Sequence, residues 1–253
     1  MKMGRKPRQF NPRIPHFSAR MAVADLPPPP SAVDYTVGMP ASLGVMHNDA
    51  LGDCTCAAYY HALQLWSFAA SGTMETESDD CVLALYEGAC GYNPADPNTD
   101  QGGDEQHVLD FLLNNGAPIA TGVHRLTAFV EVDPRNLEDV KRIINDCGCA
   151  YIGFNVPKYL MSGGMTAPGA TWTLQSSDAD IEGGHAVVLA GYDDAGARVI
   201  SWGNFYTMTW EFFTQFVDEV YALCDPDWIR VTGQTPANMT VAQLEELMSA
   251  VKQ

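Results

Sequence analysis

The sequence predicts an α+β fold, and three observations predict it. Patterns with helical spacing fill the first half of the chain, and apolar runs with strand character fill the second. Hydrophobic residues make up 46% of the 253 residues, enough to bury a sizeable core. No internal repeat or low-complexity tract beyond the proline run interrupts this order.

The chain opens with a basic, proline-rich arm over residues 1–29. Its first twenty residues carry Lys2, Arg5, Lys6, Arg8, Arg13 and Arg20 and no acid, whereas the other 233 carry 8 basic and 31 acidic residues. The run Pro27–Pro30 favours an extended polyproline conformation and excludes helix and sheet. So acidic a body repels phosphates and anionic headgroups, which argues against nucleic-acid or membrane binding by the folded part. The arm itself has several readings: a tail lying on its own acidic body or on a neighbouring subunit, a self-association or assembly arm, or a contact to an anionic partner. Its start lacks the apolar segment of an export signal and no stretch is long and apolar enough for a membrane span, so a cytoplasmic location is expected. Seven cysteines, an odd number in such a chain, are expected to be reduced thiols rather than a disulfide framework.

The first strong helix begins at Asp53–Cys54, where Ala58, Ala62, Leu65, Trp66 and Ala69 form one apolar stripe, so this helix is expected to be central and buried. Further helices are predicted over 81–90, over 105–114 with a stop at Asn115–Gly116, and over 136–147. The last leads into a strand from Cys149, with Cys147 and Cys149 read as same-facing core residues of that strand rather than metal ligands. Residues 185–203 read as two strands around the turn segment 193–198. Residues 210–224 are ambiguous between helix and strand, and 239–252 read as a C-terminal helix opened by a Thr240/Gln243 capping box.

Two cysteines near one helix start raise the question of a nucleophile. Cys54 stands at the helix N-terminus, where the partial positive charge and free N–H groups stabilise a thiolate. Cys56 lies about 200° further round the helix and cannot face the same cleft. Asn48, six residues before Cys54, could supply an amide to an oxyanion beside the backbone N–H of the nucleophile, while Gly52 would let a substrate backbone approach closely. His185, after two glycines and at the start of a strand, has the uncrowded approach that proton transfer requires.

These residues resemble those of the papain-like cysteine peptidases, in which a Gln, five intervening residues and a Cys open the long central helix. Other stretches are similar in the same order: PSAVDY at 30–35, the Gly102–Gly103 segment and its following helix, the helix and strand over 140–156, GGHAVVLAGYD at 183–193, and ISWG at 200–203. The resemblance covers about residues 30–203. It implies a papain-like two-lobed fold over 30–253, a helical left lobe with the long central helix and an antiparallel β right lobe, in a divergent chain compatible with a phage origin. It assigns Cys54 as nucleophile, His185 as base and Asn48 as oxyanion donor, and it matches Gly102 and Gly103 to the glycine pair that hydrogen-bonds an extended peptide or protein substrate; Gly52 and Gly184 are further substrate-binding candidates. No cofactor and no metal are implied.

Three departures accompany it. The position of the family's third residue, an Asn, holds Ile200, which leaves Ser201 or Asn204 as the partner of the imidazole. Asn48 replaces a Gln. Beyond Gly203 the pattern ends, so 204–253 is a divergent extension. The activity expected is hydrolysis of peptide or related amide bonds through an acyl-enzyme at Cys54. The alternatives are an inactive papain-like scaffold serving as a structural or binding component of an assembly such as a phage particle, which would make it virion-associated, and an arm acting as a short inhibitory propeptide.

Overall fold

The computed structural model describes residues 2–17, 28–162, 164, 166–229, 233–237, 240 and 242. At its centre is helix α1 (Cys54–Ser71), whose residues are buried from Cys54 through Ser67 and which ends at Gly72 in the left-handed conformation. Helices α2 (Asp79–Cys90) and α3 (Glu105–Asn114) pack beside it, and α3 is capped by Asp104, whose side chain accepts from the His107 N–H. Short strands β2 (Ala117–Ile119) and β3 (Gly122–His124) pair beyond α3, after Gly116 at φ 81° has turned the chain. The stop expected at Asn115–Gly116 falls there.

The large sheet is built from β1 (Val33–Asp34), β4 (Ala128–Glu131), β5 (Ala150–Pro157), β6 (Thr171–Trp172), β7 (Ile181–Tyr192), β8 (Gly196–Ser201), β9 (Asn204–Thr209) and β10 (Val217–Cys224). Their order is β4-β10-β5-β7-β8-β9-β6, with β1 on β7. All pairs are antiparallel except β6 with β9. Alternation on β7 sends Ala186, Val188 and Ala190 into the core shared with α1, and Val187 and Leu189 into a second core on the other face. Helices α4 (Leu137–Cys147) and α6 (Trp210–Phe216) close that second core; a further short helix, α5 (Lys158–Ser162), follows β5.

The ambiguous segment 210–224 is both things at once. Thr209 caps a helix of two turns, and from Val217 the chain becomes β10, which inserts between β4 and β5. The divergent extension therefore supplies an interior strand of the sheet. One expectation is corrected: Cys147 and Cys149 do not share a strand. Cys147 is the last residue of α4, Gly148 at φ 82° ends the helix, and the two thiols enter opposite cores. The expected C-terminal helix lies almost wholly outside the described residues. Among the described residues no helix is long and apolar enough to cross a membrane.

Candidate active site

Each expected site residue is held by an element whose local structure explains its position. Cys54 is the first residue of α1. Its N-cap, Asp53, makes no side-chain capping bond; one carboxylate oxygen accepts from Asn48 Nδ2 at 3.0 Å and the other has no partner among the described residues. Burial pushes this carboxyl up to about 7, against the lowering effect of the Asn48 amide. The loop before it is strained, with Met46 at φ 56° and His47 at φ 64°. Both hydrogens of the Asn48 amide are engaged within this loop, since Nδ2 also donates to the Leu51 carbonyl at 3.3 Å.

His185 lies on β7 opposite Phe154 of β5. Its ring stacks on Trp202 with centroids 4.5 Å apart and planes at 17°, and meets Phe154 edge-on. Nε2 is 2.8 Å from Ser201 Oγ, and Nδ1 has no hydrogen-bond partner among the described residues. Strand alternation explains why Ser201 rather than Ile200 reaches the imidazole. Ile200 pairs with Val188 and shares its face toward α1, so the next residue, Ser201, falls on the face of His185. Asn204 is turned elsewhere, its amide donating to the Trp202 carbonyl at 2.8 Å.

The backbone of Ala186, next to the histidine, favours the charged form of the Cys54 thiol. No hydrogen bond joins the thiol to the imidazole, and both residues are 1% exposed. Burial dominates both titrations. It pushes the Cys54 thiol up to about 12 and the His185 imidazole down to about 3, so both are neutral at pH 7.

What covers the thiol is the arm, which no reading of local sequence pattern located. Residues 2–6 run extended along the cleft. Lys2 N–H donates to the Asn48 carbonyl at 3.3 Å, Arg5 N–H to Gly184 at 3.0 Å and Lys6 N–H to Gly103 at 2.8 Å, while Gly103 N–H donates to the Gly4 carbonyl at 2.7 Å. The Gly4 backbone, packed on Gly52, favours the charged form of the Cys54 thiol. The approach is so close that a Cβ on Gly4 would lie 1.9 Å from the Gly52 carbonyl oxygen, and one on Gly102 1.9 Å from the Gly4 oxygen. Met3 lies against Gly183. Gly52, Gly102, Gly103 and Gly184, expected to bind substrate, all lie against residues 3–6 of the arm.

The arm is fastened by charge. Lys2 pairs with Asp100, which also accepts from Tyr86 and from the Gly52 N–H. Arg8 pairs with Glu131. Arg5 is buried against Glu105, Asp218 and Glu219. Burial opposes the Arg5 charge, but the three carboxylates outweigh it and hold the guanidinium above its ordinary range. Of the expected readings of the arm, lying on its own acidic body is the arrangement seen.

A cysteine opening a buried central helix, set against a histidine on an antiparallel sheet with a glycine-lined groove between them, defines the fold class: the chain has the mixed α+β fold of the papain-like cysteine proteases. Xylellain, a cysteine protease from Xylella fastidiosa, superposes with a TM-score of 0.67 at 17% identity, over 88% of this chain and 96% of that one. Procathepsin L 3 of the Tenebrio molitor larval midgut matches at 0.55 and 13%, over 81% and 73%, and the bromelain protease of Ananas comosus at 0.52 and 14%, over 78% and 99%. No family sequence model matches the chain, and neither does any curated protein sequence.

Proposed function

We propose that this protein is a thiol hydrolase of peptide or related amide bonds, held latent by its own N-terminal arm. The observation that carries the proposal is the arm's course, with Gly4 packed on Gly52 beside the fully buried Cys54 and main-chain bonds to Gly103 and Gly184. In the open form Cys54 Sγ attacks the substrate carbonyl carbon. His185 takes the thiol proton and returns it to the departing amine, leaving a thioester that water hydrolyses. Ser201 engages Nε2 and orients the ring, which leaves Nδ1 for the proton. Asn48 serves the oxyanion beside the Cys54 N–H, after its amide gives up the Leu51 carbonyl. Unplugging lets water reach the thiol, lowers its pKa and permits the ion pair that the buried form forbids.

A second reading, an inactive scaffold, draws on the engaged Asn48 amide and on Ile200 in place of an Asn. One experiment separates the two. The full chain carrying Arg5→Glu, which sets a fourth carboxylate among three, is assayed on unfolded casein beside the same chain with Cys54→Ala. Hydrolysis by the first and none by the second is expected; equal background from both, in folded protein with an accessible Cys54, would establish the scaffold.

A further inference from the structure

The cleft contains a recognition pocket whose chemistry is written in its occupant. The Arg5 side chain is fully buried, and so are those of Glu105 and Glu219, while Asp218 closes the mouth. Arg5 Nε donates to Glu105 Oε2 at 2.8 Å and to Glu219 Oε2 at 3.0 Å, and Nη2 pairs with Asp218 and Glu219. The walls belong to the body and the occupant to the arm. Glu105 starts α3 two residues after Gly103, and Asp218 and Glu219 lie on β10. Tyr221 donates to Glu219 Oε1 at 2.8 Å and accepts from Gln106 at 2.9 Å, so Glu219 is positioned independently of the arm. Asp218 is similarly held by the Asn155 amide at 3.0 Å.

The space itself exists because position 153 is glycine. A Cβ there would lie 2.0 Å from Glu105 Oε2 and 2.1 Å from Arg5 Nε. Two features mark the pocket as a receptor rather than a closed structural ion pair. Among the described residues Glu105 Oε1 is buried with no partner, and so is Arg5 Nη1, so the fit leaves donor and acceptor capacity unused. Its occupant also arrives on a segment that lies in the groove through main-chain bonds of the kind an extended peptide makes.

Emptying such a pocket leaves buried carboxylates facing one another without a cation, which is strongly unfavourable. An open enzyme therefore gains by refilling it with a cation of the same shape. We infer that Glu105, Gly153, Asp218 and Glu219 form the side-chain specificity pocket of this hydrolase, that it selects arginine one residue away from the residue attacked by Cys54, and that Arg5 is its internal stand-in. This rests on the hydrolase reading above. Arginine is favoured over lysine because two of the contacts are made by Nε, which an ammonium lacks at that depth.

The test uses the full chain with Arg5→Ala, which vacates the pocket without adding charge. Peptidyl aminocoumarins ending in Xaa-Gly are compared, with Xaa as arginine, lysine, citrulline, leucine or glutamate. Hydrolysis of the arginine peptide is expected to exceed that of the citrulline peptide by about 100-fold in kcat/KM, the range for a buried charged pair against its neutral isostere. Adding Glu219→Gln should collapse that ratio to about tenfold or less. Hydrolysis with no preference for arginine over citrulline overturns the pocket and leaves the hydrolase standing. If no peptide is cleaved, the hydrolase reading fails and binding decides the pocket. N-acetyl-arginine methylamide should then raise the Tm of the Arg5→Ala chain and leave that of the Arg5→Ala/Glu219→Gln chain unmoved, and an absence of any shift in the former overturns the inference.

Discussion

Arg5 and His185 lie in the same cleft, bonded to or standing beside the same Gly184, and both are sealed from water; one is held charged and the other neutral. Burial penalises the charged form of each. For Arg5 three carboxylates overcome the penalty. For His185 the neighbours are a hydroxyl and two aromatic rings, none of which can, and a further positive group at His61 would only add to the cost. On the proposed reading, the contrast is how a single segment holds a hydrolase latent. The charged half of the cleft clamps the arm through Arg5, and the clamped arm dries out the half that holds Cys54 and His185.

The contrast breaks most completely if the clamp is reversed. Arg5→Glu is expected to expel the arm, because a buried charge without its partner costs about 3–5 kcal/mol. With the thiol moving from about 12 toward its ordinary range, the rate of Cys54 alkylation by iodoacetamide at pH 7.5 should rise by about 10³-fold, followed by peptide mapping. Labelling of Cys54 as slow as that of Cys56, inside the core, would show that something other than the arm seals it.

The next effect concerns the carboxyl between the two halves. Asp53 is pushed to about 7 from an ordinary 3.8, so the native state binds more protons than the unfolded state between these values. Its stabilising contribution is complete below about 4 and is lost as pH rises through about 7, an effect of up to about 4 kcal/mol for a shift of this size. His185 at about 3 and His61 at about 4 act in the opposite sense, their contribution being lost as pH falls from 6.5 toward those values. Asp53→Asn removes only the first component. In urea titrations the variant should gain stability over the parent as pH rises from 4 to 8, and parallel curves would refute the assignment.

A smaller change sharpens the clamp. Gly153→Ala crowds Glu105 and Arg5 together, and overpacking of this kind costs about 1–3 kcal/mol. The docked arm should then become cleavable by trypsin about tenfold faster or more, with the body intact. The smallest effect falls on the neutral half. Ser201→Ala removes the partner of His185 Nε2 and should lower kcat of the unplugged enzyme by about tenfold with KM nearly unchanged. A change in KM alone would mean that Ser201 does not orient the imidazole.

Much of this molecule was legible along the chain. The stripe from Ala58 to Ala69 marks the buried helix, and the turn segment 193–198 marks the hairpin, although β7 already begins at Ile181, four residues before His185, and β8 begins within that segment at Gly196. Residues 210–224 were not legible because aromatic and β-branched residues suit a buried helix face and an interior strand alike. At Cys147 and Cys149 the local pattern misleads, because a helix ending at Gly148 breaks the two-residue alternation of a strand. Ser201 and Asn204 could not be separated, since which of them meets the imidazole depends on the register of β8 against β7. The acidic pocket left a trace only in charge segregation, a basic arm before an acidic body, which names neither Arg5 nor its partners.

The amino-acid sequence by itself determined which residue types open α1 and which alternate along β7, where the chain turns, and that a cationic segment precedes an anionic body, because periodicity, capping and composition are local properties. Only the tertiary structure decided that Arg5 meets Glu105 and Glu219, 100 and 214 residues away, and that Gly4 lies on Cys54. Proximity across such separations is set by the pairing of strands and the packing of two cores, and burial then decides which of the gathered groups keep their charge.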